Sequence, residues 1–294
     1  MPRAALLSIH ARVTSADAAG WEHPSLVQLW GPRYAVYVVA ARDRAVFSLG
    51  RLPDDARRGA RASDTATRLH QILDGRRLSF GAAGRALGVA PNSLRYAATT
   101  GTVLLRWDGA RQPVVWTVPA AAMDPRDARL ELARRYLHVF GPATVASFAH
   151  WAGVVPVQAH AVFTALAKAL LPVRTPLGDA WILAADEGAL RAPAGPAAPA
   201  RLLPSGDAYY LCWGPDRNLL VPEAKRQATL WTTRVWAGAL LVGGDIVGTW
   251  RRSAANVVIE AWRPLTSAER HAVEGEALSL PLPGLDRPVA IGWS

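Results

Sequence analysis

Between residues 61 and 120, apolar and polar positions alternate in a way that predicts helices followed by a β-hairpin. The predicted segments are helices at Asp64–Leu73, Phe80–Leu87 and Pro91–Ala98 and strands at 103–107 and 114–118. Gly88 would turn the chain between the second and third helices, and a turn-rich basic loop would join the strands. Helix, tight turn, helix and hairpin is the order of a winged helix-turn-helix.

The same order of elements repeats between residues 121 and 190. The predicted helices are Asp124–Phe140, Ala143–Ala152 and Pro156–Ala169, and the predicted strands are Leu170–Arg174 and Ala180–Ala184. Asp124 is a capping residue followed by proline, which favours a helix start. Gly153 takes the place that Gly88 has in the preceding repeat. Because the last helix of this repeat is mostly apolar, we expect a structural copy rather than a second base-reading helix.

The two ends of the chain differ from these repeats. Leu26–Ala40 is apolar and β-branched with a break at Gly31, whereas Met1–Ala11 leaves room for about one helix at ~1.5 Å per residue. The first unit is therefore predicted to be abbreviated, unless the start codon is placed too late. After a Pro/Ala linker, strands are predicted at Ala208–Cys212, Ala239–Val242, Ile246–Arg251 and Val257–Trp262 and a helix at Thr266–Glu276.

The predicted fold class is α+β, with tandem winged helix-turn-helix units followed by a small C-terminal β-barrel-like domain. The predicted domains are an abbreviated first winged-helix unit at 1–60, a second at 61–120, a third at 121–190 and the barrel-like domain at 200–294.

The net charge of the chain indicates the kind of partner that it binds. The chain has 33 Lys and Arg residues against 23 Asp and Glu, a net charge of +10. Lys168 and Lys225 are its only lysines, and a GC-rich codon bias would explain that preference for arginine. Codon bias does not explain the net excess, which favours a polyanionic partner. We predict double-stranded DNA.

Other classes of function find little support. Cys212 is the only cysteine, so the sequence has neither a disulfide framework nor a cysteine-based zinc site. The histidines have no metal-ligand spacing, and no glycine-rich phosphate loop is present. We therefore expect no metal and no cofactor. The absence of a signal peptide or a membrane span leads us to expect a cytoplasmic, nucleoid-associated protein.

The candidate DNA-binding residues lie on the predicted recognition helix and its wing. They are Asn92, Ser93, Arg95 and Tyr96 on the helix and Arg106 and Arg111 on the hairpin. Asn and Arg can bond base edges or phosphates, and Ser can bond phosphates. The alternative is that Asn92 is a helix cap or a turn residue and that Arg95 is an ordinary solvated side chain.

Motifs elsewhere resemble one known family. Trp30 is followed by Arg33, Tyr37, an apolar pair and Asp43, and the family's pattern has histidine where Tyr37 stands. Residues 202–207 and 245–251 resemble two further segments of the same family. Together these motifs resemble the winged-helix family of AlkZ-like alkylpurine DNA glycosylases and their bacterial crosslink-repair relatives. Arg33 is then a further candidate for phosphate contact.

The resemblance also implies where the chemistry would lie. In the family a Gln-x-Gln or Gln-x-Asp pair positions a water against the anomeric carbon, and here His10 and Arg12 take these two places. They are the candidate catalytic residues, because an imidazole can hold or deprotonate water. A fixed positive charge at Arg12, however, opposes an oxocarbenium-like transition state. The alternative is that both contact the DNA backbone or lie on a helix face.

Three hypotheses follow. The protein is a DNA-binding winged-helix protein that excises alkylated purines as a monofunctional DNA glycosylase, or it is a non-catalytic DNA-binding protein, such as a regulator or a lesion shield. In the third hypothesis the protein is a protein-interaction scaffold, and four tryptophans would line its contact surface. Tryptophans are, however, more often buried in a core. The four tryptophans are Trp231, Trp236, Trp250 and Trp262.

Overall fold

A computed structural model describes residues 2–13, 20–107, 112–211, 216–233, 235–282 and 288–294, apart from the side chains of residues 2, 3 and 21. The chain divides into two compact units. The N-terminal unit contains residues 23–192, and the C-terminal unit joins residues 3–22 to residues 193–294. Helix α1 (Pro2–His10) thus contributes to the C-terminal unit. The sequence instead predicts a first domain at 1–60, in which α1 is grouped with residues 23–60. None of the described helices is long and apolar enough to cross a membrane.

The N-terminal unit consists of short helices and three small antiparallel sheets. Its helices are α2 Arg44–Leu49, α3 Ala56–Leu73, α4 Phe80–Leu87, α5 Leu94–Ala97, α6 Pro125–Phe140, α7 Val145–Ala152, α8 Pro156–Ala165 and α9 Glu187–Arg191. Its strands are β1 Leu26–Trp30, β2 Val36–Ala40, β3 Leu78–Ser79, β4 Val103–Arg106, β5 Val114–Thr117, β6 Leu170–Thr175 and β7 Gly178–Leu183.

The elements predicted for residues 61–120 are present in the predicted order. Helix α3 begins earlier than predicted, at Ala56, because the Asp55 side chain accepts a hydrogen bond from the Arg58 amide. Ser79 caps α4 in the same way, and Gly88 ends it with a φ of 68°. Helices α3, α4 and α5 and strands β4 and β5 enclose one apolar core; its fully buried members include Leu69, Leu73, Ala83, Leu94, Ala97, Leu105 and Val115.

Close packing between α4 and the start of the following helical turn depends on a glycine. A Cβ on Gly84 would lie 2.9 Å from the Cα of Pro91 and 3.0 Å from its Cγ. We expect Gly84→Ala to lower the free energy of unfolding by about 1–3 kcal/mol, as overpacked cores do. Gly188→Ala is the matched control, since a Cβ on Gly188 in α9 meets nothing within 4 Å. Urea unfolding of both variants checks this, and equal stability of the two would contradict the packing interpretation.

The elements predicted for residues 121–190 are also present. Asp124 caps α6, Thr144 caps α7, and Gly153 follows α7 with a φ of 71°. Helix α8 ends at Ala165, earlier than predicted, and a single 3-10 turn at Ala167–Ala169 leads into β6. Strands β6 and β7 form a two-stranded antiparallel sheet.

The C-terminal unit is built on a five-stranded sheet. Its further helices are α10 Arg217–Leu220, α11 Ala224–Leu230 and α12 Ser267–Ser279, and its strands are β8 Ala200–Leu203, β9 Gly238–Val242, β10 Asp245–Ser253, β11 Asn256–Ala261 and β12 Ala290–Trp293. The strand order is β12-β11-β10-β9-β8, antiparallel except for the pair β11–β12. The predicted strands within 239–262 and the predicted helix within 266–276 are confirmed.

In the described part of the chain this sheet is open, and no closed barrel forms. Both faces are nevertheless covered, because neighbouring residues of one strand enter different cores. Leu202 packs with Leu7 of α1 and Val273 of α12. Leu203 packs in a second cluster with Tyr210 and other residues of the 208–236 segment. Helices and turns therefore bury the apolar surface that closure would otherwise remove from water.

One predicted strand of this unit is wrong. Ala208–Tyr210 is a 3-10 turn, and Cys212 lies outside the described residues. The side chain of Asp207 accepts a hydrogen bond from the Tyr209 amide at 2.9 Å, which starts the turn. Tyr210 is fully buried, and its hydroxyl donates to the carbonyl of Pro204 at 2.6 Å. The apolar letters of this segment therefore fill a core from a turn rather than from a strand.

Candidate functional site

The end of helix α1 carries both candidate catalytic residues. Leu6 and Leu7 are buried and fix the helix on one side, while His10 is half-buried and Arg12 is exposed. The helix end is held by Arg201 of β8, whose Nε donates to the carbonyl of Ala11 at 3.1 Å. The backbone is thus fixed at Leu6 and Leu7 and again at Ala11, which gives the His10 and Arg12 side chains a defined position.

Arg12 forms a bidentate ion pair with Asp207. Its Nη1 and Nη2 donate to the two carboxylate oxygens at 2.9 and 2.7 Å, and Nη1 also donates to the carbonyl of Ser8 at 2.8 Å. The side chain of Asp207 is fully buried, whereas that of Arg12 keeps 45% of its surface exposed. The hydroxyl of Ser8 donates to the same carboxylate at 2.5 Å. This Arg12–Asp207 pair makes the charge at the second motif position nearly neutral.

Asp207 is the last residue of the 202–207 motif, but the sequence did not predict a role for it at the site. Its carboxylate accepts hydrogen bonds from Ser8, from Arg12 and from the amide of Tyr209. A buried carboxylate needs such partners, because desolvation of an unpaired charge is costly. The signal in the sequence was an acidic residue directly after Ser205-Gly206, a turn pair, within an apolar segment.

His10 contacts the end of helix α12. Its Nε2 lies 3.2 Å from the hydroxyl of Ser279, and that hydroxyl donates to the carbonyl of Glu276 at 2.8 Å. Since the hydroxyl proton is used on Glu276, the hydrogen-bond network assigns the proton of neutral His10 to Nε2. The lone pair is then on Nδ1, which is the atom able to accept a proton from water.

The predicted recognition residues lie on or beside α5 in the N-terminal unit. Asn92 is exposed, and Ser93 is partly buried; neither caps a helix with its side chain. Asn92 lies in a single 3-10 turn at Pro91–Ser93, so of its alternative roles that of a turn residue agrees with the structure and that of a helix cap does not. Arg106 is exposed at the end of β4, and Arg111 lies outside the described residues.

Arg33, predicted as a phosphate contact, lies in a strained hairpin turn between β1 and β2. Arg33 and Tyr34 have φ values of 54° and 57°, and the amide of Ala35 donates to the carbonyl of Pro32 at 3.2 Å. Two central residues with positive φ characterise the type I′ turn, which prefers Asn-Gly. A left-handed backbone costs a residue with a side chain roughly 1–2 kcal/mol.

Contacts around Tyr34 bring two of the predicted residues, Arg95 and Tyr96, together. The Tyr34 ring meets the Tyr96 ring edge-on at 4.8 Å, and the guanidinium of Arg95 lies 5.7 Å from the Tyr34 ring and 5.2 Å from the Tyr96 ring. The guanidinium of Arg51 lies over the Tyr34 ring at 4.5 Å. We call Tyr34, Arg51, Arg95 and Tyr96, together with Arg33 next to Tyr34 in the turn, the Arg–Tyr cluster.

Arg51 and Tyr34 are the residues of this cluster that the sequence did not predict. Arg51 is 2% exposed, and it donates from Nε to the carbonyl of Ala152 and from Nη1 to that of Trp30, both at 2.8 Å. Its Nη2 is buried without a hydrogen-bond partner in the described structure. Burial lowers the pKa of Arg51 to about 10, so the side chain remains charged at neutral pH.

Other candidate sites are weaker. Across the part of the chain that the structure describes, no three His, Cys, Asp or Glu side chains group in a way that could hold a metal ion. Trp231 and Trp250 are buried and donate to backbone carbonyls, and Trp236 and Trp262 pack partly buried against the same core as Trp231. These tryptophans therefore offer little of the contact surface that the scaffold hypothesis needs.

Comparison with known proteins adds the family. The sequence model of the family described as "DNA glycosylase AlkZ-like" matches residues 1–280. The chain belongs to the AlkZ-like DNA glycosylase family. The solved structure of Streptomyces sahachiroi DNA glycosylase AlkZ matches with a TM-score of 0.77 at 19% sequence identity, over 98% of this chain and 89% of that one. At 19% sequence identity, this structural similarity establishes a shared fold and nothing further. A search among curated proteins finds no match.

Membership in the AlkZ-like family confirms the resemblance stated from the motifs. The match spans both units described above, from α1 through α12, and so includes His10, Arg12 and Asp207. This AlkZ-like chain has His-Ala-Arg where the motif comparison places the polar pair of the family. Because His10 and Arg12 differ from the family's residue types, the chemistry of the site depends on the groups that contact these two side chains.

Proposed function

We propose that this AlkZ-like protein is a monofunctional DNA glycosylase that excises alkylated purines from double-stranded DNA, with His10 as its catalytic residue. The observation that carries this proposal is the Arg12–Asp207 pair. A free guanidinium beside the sugar would repel the positive charge that develops in the transition state. Because a buried carboxylate neutralises Arg12 through two hydrogen bonds, that objection to catalysis is largely removed.

The proposed reaction is hydrolysis of the N-glycosidic bond. The bond from the anomeric carbon to the purine nitrogen breaks, and its electron pair leaves with the cationic alkylated base, which becomes neutral. The water oxygen bonds to the anomeric carbon while the water loses a proton to Nδ1 of His10, which then returns it to solvent. Ser279 would hold the imidazole through Nε2. No metal or cofactor is needed for these steps.

In this proposal Arg12 acts by positioning. Its guanidinium ties the segment after α1 to Asp207 and to the carbonyl of Ser8. The exposed part of the same side chain remains available for a DNA phosphate.

DNA binding is proposed for the N-terminal unit. The order of α3, α4, α5 and the β4–β5 hairpin fits a winged helix-turn-helix, and the elements α6 to β7 fit a second one. The proposed DNA contacts are Arg33, Asn92, Ser93, Arg95, Tyr96, Arg106 and Arg111. The net charge of +10 supports a polyanionic partner for the chain as a whole.

An excision assay tests the proposal. A duplex carrying a single N7-methylguanine is incubated with the full chain and then treated with alkali, which cleaves the strand at abasic sites. We expect strand cleavage that increases with time and a matching release of free base. Salt-sensitive binding to this duplex without any excision would overturn the proposal.

One observation favours a second candidate, a non-catalytic DNA-binding protein that regulates or shields DNA. At the second motif position both terminal nitrogens of Arg12 are already engaged by Asp207 and Ser8, as in a structural ion pair. A protein of this kind would bind damaged and intact duplexes alike, with an affinity that falls log-linearly with salt.

A further inference from the structure

We propose that the Arg–Tyr cluster binds one unpaired nucleotide of a DNA strand, with Tyr96 stacking on its base and Arg33 and Arg95 contacting its phosphate. This site lies within the N-terminal unit, whereas His10 belongs to the C-terminal unit. The inference rests on the proposed function in one respect, namely that the ligand is DNA. It adds a preference for distorted DNA, which neither the motifs nor the family match assigns.

The first support is a group of positive charges without carboxylate partners. In the part of the chain that the structure describes, none of Arg33, Arg51 and Arg95 forms an ion pair with Asp or Glu, whereas several exposed arginines elsewhere do. Two buried donors, Nη2 of Arg51 and Nε of Arg95, also lack an acceptor. A buried unpaired charge is costly, so an anion that approaches this cluster is stabilised. A phosphate suits guanidinium groups because two N–H donors of the planar guanidinium match the spacing of two phosphate oxygens.

The second support is an accessible aromatic ring beside these charges. Tyr96 is 46% exposed although its ring is in T-shaped contact with the Tyr34 ring. Base stacking on aromatic rings, combined with a basic surface, is the usual way to bind nucleotides outside a duplex. An acidic peptide would use the charges but would have no need of the exposed ring. The combination therefore favours a nucleotide.

The third support is the strained turn that presents Arg33. Left-handed backbone at two successive residues with side chains persists only when the surroundings determine it, and such strain concentrates at ligand sites. Here the surroundings are Arg51, whose guanidinium lies against Tyr34, and Gly153, where a Cβ would lie 3.4 Å from the Arg33 amide nitrogen. Arg51 is thus a positioning residue that supports the turn from the buried side.

The experiment compares two oligonucleotide duplexes that differ by one unpaired nucleotide. One is fully paired, and the other carries a single bulged 2-aminopurine, whose fluorescence reports stacking. Binding of the wild-type chain, Tyr96→Ala and Tyr96→Phe is measured at one salt concentration. Tyr96→Phe is the matched control for stacking, since it keeps the ring and loses the hydroxyl that accepts a hydrogen bond from Nη2 of Arg95 at 3.3 Å.

We expect the wild type to prefer the bulged duplex and to change the 2-aminopurine fluorescence. Tyr96→Ala should lose about 5- to 100-fold in affinity for the bulged duplex, the range of one base–aromatic stack, and distinctly less for the paired duplex, where Tyr96 has no unpaired base to stack on. Tyr96→Phe should keep the preference for the bulged duplex, because it keeps the ring. Equal affinity of the wild type for both duplexes, or an equal loss for both in Tyr96→Ala, would overturn the inference while leaving the glycosylase proposal intact.

Other results separate the two proposals further. Failure to bind either duplex would contradict DNA as the ligand and hence the proposed function as well. Competition by a phosphotyrosine peptide as effective as the bulged DNA would assign the cluster to a protein ligand and would also overturn the inference.

Discussion

His10→Ala is expected to bind the N7-methylguanine duplex as tightly as the wild type and to excise the base at least about 100-fold more slowly. The reason is that a positioned general base contributes roughly 10²- to 10⁴-fold to a rate, and Nδ1 of His10 is the proposed acceptor. Single-turnover excision with saturating protein measures the rate, and a binding titration at the same salt concentration measures the affinity.

Two control variants accompany this measurement. His10→Gln places at this position the residue type of the family's motif, and we expect it to retain more excision than His10→Ala. His160→Ala changes an exposed histidine of α8 in the other unit and should leave the rate unchanged. If His10→Ala lost excision only in proportion to lost binding, His10 would be a DNA contact and not the catalytic residue.

Arg12→Gln is expected to destabilise the C-terminal unit by about 2–3 kcal/mol. The substitution leaves the fully buried carboxylate of Asp207 with only Ser8 and the Tyr209 amide as donors, and breaking a buried pair costs roughly 3–5 kcal/mol. We place the value below that range because Arg12 itself is almost half exposed. Urea unfolding followed by tryptophan fluorescence measures the loss.

A double-mutant cycle isolates the ion pair from other effects. Asp207→Asn should also destabilise, and the double variant should lose about 1–3 kcal/mol less than the sum of the single losses. Arg174→Gln is the matched control, because the Arg174–Asp179 pair is exposed on both sides and should contribute at most about 1 kcal/mol. Additive losses for Arg12 and Asp207 would show that the pair does not neutralise the site.

Local patterns predicted much of the secondary structure. The bounds of α4 are the predicted ones, and α6 begins directly after the predicted cap at Asp124. Strands β4 and β5 each lie within the predicted hairpin strands. Such elements are determined by apolar spacing, caps and turn residues that lie within a few positions of one another, and these features are visible in one sequence.

Long-range contacts account for what the sequence did not predict. The open sheet is covered by α12 and by turns that only tertiary packing brings to it, and the turn at Ala208–Tyr210 depends on its own buried contacts. At the site, His10 and Arg12 were predicted from a motif, but Asp207 lies 195 residues away from Arg12. Arg51 has no local signal, since its partners are carbonyls of Trp30 and Ala152.

The separation between α1 and its partners has a consequence for synthesis of the chain. The hydrogen bond from Ser8 to Asp207 cannot form until Asp207, 199 residues later, has been synthesised. At a translation rate of about 5–20 residues per second, this interval is roughly 10–40 s. During this time Leu6 and Leu7 lack the core that buries them, so they are exposed to chaperones and to aggregation. A nascent or prematurely ended chain could already fold its N-terminal unit but could not complete the environment of His10. In the proposed mechanism, excision would therefore begin only after the C-terminal unit has been synthesised.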